Sequence, residues 1–213
     1  MKKYILFDND GVLVETEIWY YRASAEILST MGITMDDTAY REIMINGLSS
    51  FVLAERVGFD DEAIKSARAK RDVLYQKYLQ NENITINGVQ EILRELKKKY
   101  QMGIVTTSRR VDFELIHTKR GIVDYMDFVL CVEDYPRAKP YPDPYLMGLE
   151  QFRSSKDDAI VVEDSQRGLQ SAVAAGIECV IVKNDFTASH DFSDATHRIE
   201  SLSELEKLLE LTT

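Results

Sequence analysis

Residues 4–12 read Tyr4-Ile5-Leu6-Phe7-Asp8-Asn9-Asp10-Gly11-Val12, a short apolar run set directly against two acids and a glycine. Four apolar residues ended by polar ones suit a central strand buried on both faces, as a parallel sheet requires. The acids then stand at the strand's carboxyl end, the edge where open α/β sheets bind ligands. If the strand simply continued, Asp8 and Asp10 would share one face. Gly11 predicts a sharp turn instead, and a tight loop still gathers two carboxylates and exposed backbone groups into one small volume. A lone D-x-D-G is equally what an Asp-rich turn after any strand looks like, so the remainder of the chain must decide.

Downstream of Val14 the pattern turns helical for about seventy residues. Trp19, Ala23, Ile27 and Met31 recur at i, i+4 spacing, with Gly32 as a stop. Residues 40–45, 51–57 and 62–79 also read as helices, separated by Asn46-Gly47 and Gly58. No strand pattern interrupts them, which predicts a small helical bundle inserted after the first strand. From Asn87 strands and helices alternate. Val89, Ile92, Leu93 and Leu96 form an apolar stripe; residues 102–106 read as a strand, 111–120 as a helix and 128–132 as a strand. Three prolines within Pro140-Tyr141-Pro142-Asp143-Pro144 predict a stiff loop until Tyr145. A helix to about Phe152, a strand over 159–162, a helix over 166–175 closed by Gly176, and a strand over 179–182 follow. Ser203-x-x-Glu206 has the form of a capping box opening a last helix. Such alternation specifies an α/β fold: a doubly wound parallel sheet with right-handed crossovers, residues 1–14 and 85–213, carrying an all-helical cap over 15–84.

Several strands in this scheme end on residues able to do chemistry: Asp8 and Asp10, Thr106 with Ser108, and Glu163 with Asp164, while Lys139 lies on the loop after another. Two acid pairs at one sheet edge repel unless a cation lies between them. Mg²⁺ suits hard oxygen ligands and binds through one or two carboxylates plus substrate phosphate. Asp8, the Asp10 carbonyl and Asp164 can supply the protein side, with Glu163 reaching the metal directly or through water. Thr106 and Lys139 can then hold phosphoryl oxygens and stabilise the charge of the transition state. A carboxylate can also attack phosphorus and form an aspartyl-phosphate. Asp8, ending the strand itself, is the candidate nucleophile, and Asp10 the acid that protonates the leaving oxygen and later activates water.

These segments resemble, in order, the four signature motifs of the haloacid dehalogenase superfamily: D-x-D-G-V at residues 8–12, the strand-ending Thr106, Lys139 in K-P-x-P-D-P, and E-D-S-x-x-G at residues 163–168. The helical block is similar to the cap of the branch that includes β-phosphoglucomutase, phosphoglycolate phosphatase and small-sugar phosphatases. The resemblance implies a Rossmann-like core, an Asp8 nucleophile, an Asp10 acid/base and a Mg²⁺ cofactor. It favours a phosphatase acting on a small phosphorylated metabolite. The alternative is a sugar-phosphate mutase, which the Asn46-Gly47-Leu48-Ser49 turn resembles. Against it, Tyr20 stands where the mutase pattern has histidine and Ser50 where it has arginine. A non-catalytic phosphate sensor would have no need of Asp10, and a nucleotide-binding oxidoreductase lacks its G-x-G-x-x-G after Phe7.

Further contacts are open between two roles. Thr107, Ser108 and Arg109 follow the second motif and are candidates for substrate binding, although Ser108 can equally cap the next helix. Gly47 and Tyr20 are the cap candidates; Lys70 and Arg71 read as solvated helix charge, and His117 as a surface residue. With 26 Lys and Arg against 36 Asp and Glu, the net charge of −10 argues against nucleic acid or an anionic membrane as partner. No leader precedes Tyr4 and no apolar run has membrane-spanning length, so the expectation is a cytoplasmic monomer. Cys131 and Cys179, each in an apolar run, read as buried free thiols.

Overall fold

In the computed structural model, which describes residues 2–211, the opening stretch forms β1 (Tyr4–Phe7) at the middle of a six-stranded sheet. The chain divides into two compact units, one running up to Glu15 and resuming at Thr85, the other spanning Thr16–Ile84.

Within the larger unit, Ile5, Leu6 and Phe7 are 0% exposed, because β1 has a neighbour on each side and layers on both faces. After β1 the unit contributes α5 (Val89–Leu96), β2 (Gln101–Val105), α6 (Arg110–His117), β3 (Phe128–Leu130), α7 (Asp143–Phe152), β4 (Ala159–Glu163), α8 (Gln166–Ala175), β5 (Glu178–Val182), β6 (His197–Ile199) and α9 (Leu205–Leu211), where α1 to α4 belong to the smaller unit, described below. The strand order is β3-β2-β1-β4-β5-β6, and every pairing is parallel. Phe7 is in register with Ile104 of β2 and with Val162 of β4. The order reverses at β1, since the chain winds outward through β2 and β3 and then returns to the far side through β4. That reversal opens the crevice in which doubly wound sheets bind ligands.

The apolar stripe of α5 behaves as its spacing demands, with Val89, Ile92, Leu93 and Leu96 all buried. Gly103 is needed where it stands: a Cβ there would lie 2.4 Å from the Phe128 ring, which packs with Phe152 at 4.7 Å between centroids. Both cysteines are buried and free. Three local expectations give way. The proline-rich stretch is helical from Asp143, since Pro144 falls in the first turn of α7, where its missing N–H costs nothing. Strand β3 stops at Leu130, leaving Cys131 just past it. The capping box at Ser203 does not form: Ser201 accepts from the Ser203 N–H, and Glu206 instead pairs with Lys99 at 2.9 Å.

The smaller unit holds α1 (Glu17–Thr30), α2 (Asp37–Ile45), α3 (Val52–Arg56) and α4 (Asp61–Asn81). Side chains of Asp36 and Asp60 cap α2 and α4 by accepting from the N–H groups of Ala39 and Ala63, both at 2.8 Å. The buried face of α1 is centred on Ala23, Ser24 and Leu28 rather than on the Trp19–Ala23–Ile27–Met31 row. Arg71 packs against that face and is not a solvated charge: it is buried, donates to Ser24 Oγ and Asp72, and stacks 4.2 Å over Tyr20. Lys70, one residue away, is exposed.

Candidate active site

Three strand ends converge at the reversal point. Asp8 follows β1 directly, Thr106 follows β2, and Glu163 closes β4; all three are buried. Lys139, from the loop between β3 and α7, is 4% exposed and joins them. Its ammonium donates to Asp8 Oδ1 at 2.7 Å, to Glu163 Oε1 at 2.7 Å and to the Val105 carbonyl at 3.0 Å, using all three of its protons. Arg167 donates to the Lys139 carbonyl and ties that loop to α8.

Both oxygens of Glu163 are engaged. Oε1 also accepts from Tyr145 Oη at 2.7 Å, while Oε2 accepts from the Asp164 and Ser165 N–H groups and from Ser165 Oγ at 3.0–3.2 Å. Gly168 makes room for it, since a Cβ there would sit 1.7 Å from Oε1. Asp164 lies alongside, its Oδ2 accepting from Asn184 Nδ2 at 3.0 Å. Gly11, at φ +80°, has the same relation to Asp164, its absent Cβ falling 2.0 Å from Oδ2.

One carboxylate oxygen from each of Asp8, Glu163 and Asp164 lies within 4.8 Å of the other two. One lysine against three buried carboxylates leaves a surplus of negative charge, a donor set of hard oxygens that fits a divalent cation. The same crowding shows in the proton affinities. Burial, reinforced by repulsion from Glu163, raises the Asp8 carboxyl to about 7 despite the opposing pull of Lys139. Glu163 moves the other way. Burial acts to raise it, but the charge of Lys139 and the hydrogen bonds from Lys139 and Tyr145 outweigh burial and hold it below the usual range.

Asp10 stands apart from that trio. Its Oδ2 accepts from Ser108 Oγ at 2.7 Å, from Thr106 Oγ1 at 3.3 Å and from Asn9 Nδ2 at 3.3 Å. Ser108 therefore serves Asp10 and does not cap α6, whose N-terminal flank is Arg109. Thr107 is exposed, and Arg109 is engaged by Asp112 at 2.7 Å. In the smaller unit Tyr20 packs edge-on against Tyr75 at 5.1 Å, and Gly47 occupies an exposed turn at φ +67°.

Four site residues were not expected. Tyr145 and Asn184 hold Glu163 and Asp164, Tyr135 donates to the Thr106 carbonyl at 2.7 Å, and His117 is buried rather than on the surface. His117 Nε2 lies 2.7 Å from Asn9 Oδ1. Burial pushes its imidazole down to about 4, with Asp10 acting against that shift and Arg120 with it. Asn9, 0% exposed just past the end of a core strand, needs such a partner for its amide.

This fold agrees with the comparisons. Residues 5–182 match the model of the haloacid dehalogenase-like hydrolases, and the chain belongs to that family. Validoxylamine A 7'-phosphate phosphatase of Streptomyces hygroscopicus subsp. limoneus is 27% identical over 210 residues, covering 98% of this chain and 93% of the relative. Fructose-1-phosphate phosphatase YqaB of Escherichia coli is 25% identical over 185 residues, 84% of this chain and 95% of its own. Among solved structures, CbbY from Rhodobacter sphaeroides in complex with phosphate superposes with a TM-score of 0.81 at 23% identity, covering 96% of each chain, which attests the fold.

Proposed function

We propose that the protein is a Mg²⁺-dependent phosphatase that hydrolyses a small phosphorylated metabolite of the sugar-phosphate kind through a phosphoenzyme on Asp8. The observation that carries this reading is the buried set of Asp8, Glu163 and Asp164, with Lys139 paired to the first two. Phosphatases of phosphorylated, sugar-like compounds among its relatives support the substrate class.

Asp8 and Asp164, with the Asp10 carbonyl, would hold the metal, and Glu163, its oxygens already engaged by Lys139, Tyr145 and Ser165, would support it from behind. When bound, the ion supplies positive charge that neutralises both the carboxylates and the phosphoryl oxygens. The remaining steps belong to the chain. An Asp8 carboxylate oxygen attacks phosphorus, forming the O–P bond as the bond to the leaving oxygen breaks, and the Asp10 carboxyl gives that oxygen its proton. The Asp10 carboxylate then takes a proton from water as the water oxygen attacks the same phosphorus, which releases inorganic phosphate and restores both acids. Lys139 keeps the Asp8 nucleophile oriented and offsets charge gathering on the phosphoryl group.

The helical unit of residues 16–84 is assigned the role of a substrate-selecting cap, with Tyr20 and Gly47 as its candidate contacts. A mutase reading is weaker, because Ser50 stands where an arginine would grip a second phosphate; its hydroxyl is buried and without a hydrogen-bond partner among the described residues. The test is phosphate release from sugar phosphates, short phospho-acids, nucleotides and 4-nitrophenyl phosphate, with Mg²⁺ or chelator. Release that needs Mg²⁺ is expected for some of the panel and for none with Asp8→Asn. Isomerisation of a sugar phosphate with little free phosphate would instead establish the mutase.

A further inference from the structure

We propose that His117 is a positioning residue for the Asp10 carboxylate and acts through the side chain of Asn9. The inference rests on Asp10 being the acid/base of the proposed phosphatase. Asn9 lies between the two catalytic candidates, and its amide bridges Asp10 to α6, with Nδ2 3.3 Å from Asp10 Oδ2 and Oδ1 2.7 Å from His117 Nε2.

Donor and acceptor accounting fixes the direction of this chain. An ionised carboxylate can only accept, so Asn9 must turn its NH₂ toward Asp10 and its carbonyl toward the histidine. A carbonyl oxygen can only accept too, so His117 must carry its proton on Nε2. The other ring nitrogen agrees: Nδ1 is buried and has no hydrogen-bond partner among the described residues, an acceptable place for a lone pair and a poor one for an N–H. The order is therefore His117 Nε2–H to Asn9 Oδ1, then Asn9 Nδ2–H to Asp10 Oδ2.

Its consequence is an asymmetry in Asp10. Ser108 Oγ, Thr106 Oγ1 and Asn9 Nδ2 converge on one oxygen, Oδ2, and commit it to accepting. Without the His117 donor, the Asn9 amide loses its shorter contact, at 2.7 Å, and keeps the 3.3 Å bond to Asp10 Oδ2. A flip would then place the amide oxygen against Asp10 Oδ2, an acceptor against an acceptor. His117 touches neither substrate nor reacting atoms; it holds the amide that, together with Ser108 and Thr106, keeps the Asp10 carboxylate in place.

A defect in general acid catalysis reveals itself through the leaving group. Phenyl phosphate needs its departing oxygen protonated far more than 4-nitrophenyl phosphate does, while the two have similar shapes. For His117→Leu and Asn9→Leu we expect kcat/KM on phenyl phosphate to fall about tenfold or more, and on 4-nitrophenyl phosphate less than about threefold, with KM little changed. His117→Gln retains an amide donor and should recover most of the loss. Asn9→Leu decides the matter if His117→Leu does not fold. Equal losses on the two esters, or a His117→Gln variant no better than His117→Leu, overturn the proposal. Asp10→Asn is the control: if it is inactive on phenyl phosphate while the His117 and Asn9 variants show no leaving-group dependence, this inference alone fails. If Asp10→Asn keeps wild-type rates, Asp10 is not the acid and both readings fall.

Discussion

Lys139 Nζ stands 2.7 Å from Asp8 Oδ1, at the same distance from Glu163 Oε1, and is 4% exposed. One cation thus compensates two buried carboxylates, and removing it strands both. Lys139→Ala should destabilise the fold by about 3–5 kcal/mol, the cost typical of breaking a buried ion pair from one side. Because Asp8 and Asp164 are also the proposed metal ligands, Mg²⁺ should restore part of that loss. Chemical denaturation of the variant with and without Mg²⁺ measures both effects. Unchanged stability would mean that Lys139 is not the charge that holds these acids.

Glu163 depends on Tyr145 for one of its donors, at 2.7 Å in a fully buried setting. Tyr145→Phe keeps the ring and deletes the hydroxyl. A hydrogen bond to a charged acceptor predicts a loss of about 2 kcal/mol. The denaturation midpoint should fall with the slope unchanged; a midpoint equal to wild type would show that another donor takes over.

The affinity for metal should follow Asp164. Asp164→Asn preserves the size of the side chain and removes its charge, so more Mg²⁺ should be required to reach the same rise in melting temperature. The readout is a thermal-shift titration. Superimposable curves for the two proteins would remove Asp164 from the ligand set.

His117 gives the folded protein a defined sensitivity to acid. Unfolded, the imidazole takes up a proton near 6.5, whereas in the fold burial delays that uptake to about 4. Between those values the unfolded state binds more protons, so stability is fully present above the unfolded value and is lost as pH falls through this window. The whole effect amounts to about 3 kcal/mol, because a tenfold change in proton affinity is worth about 1.4 kcal/mol. In His117→Gln the slope of unfolding free energy against pH should be less positive than in wild type, by up to one proton's worth, between about pH 6.5 and 4, since the raised Asp8 carboxyl contributes its opposite slope to both proteins. An unchanged slope would show that the ring is protonated as readily in the fold as outside it.

Much of the site is legible in the sequence because the chemistry lies where strands end. The run Tyr4–Phe7 with its acids, Thr106 after β2 and Glu163-Asp164 at the end of β4 can each be placed from apolar runs and their polar stops. Lys139 is less directly readable, since its reach into the site depends on the path of a loop. What the sequence hides is contact at long range. Asn9 and His117 are 108 residues apart, and a histidine at the end of an amphipathic helix looks the same whether it faces water or a buried amide. Arg71 is hidden for a similar reason: only the packed bundle reveals Tyr20 beneath its guanidinium and Ser24 at its end. Strand β6, His197-Arg198-Ile199, has no apolar run to announce it; it exists by pairing with β5 at the sheet edge.

The most direct test of the account is to mix the enzyme with Mg²⁺ and a substrate it turns over, quench in acid within the first turnover, and map any added phosphoryl group by peptide mass spectrometry. The predicted result is one phosphoryl group on Asp8, in the peptide carrying Phe7-Asp8-Asn9-Asp10, present in the wild type and lost in Asp8→Asn together with turnover. Phosphate released at the full rate with no phosphorylated Asp8 at any quench time, or by Asp8→Asn, would contradict the central claim that Asp8 is the nucleophile.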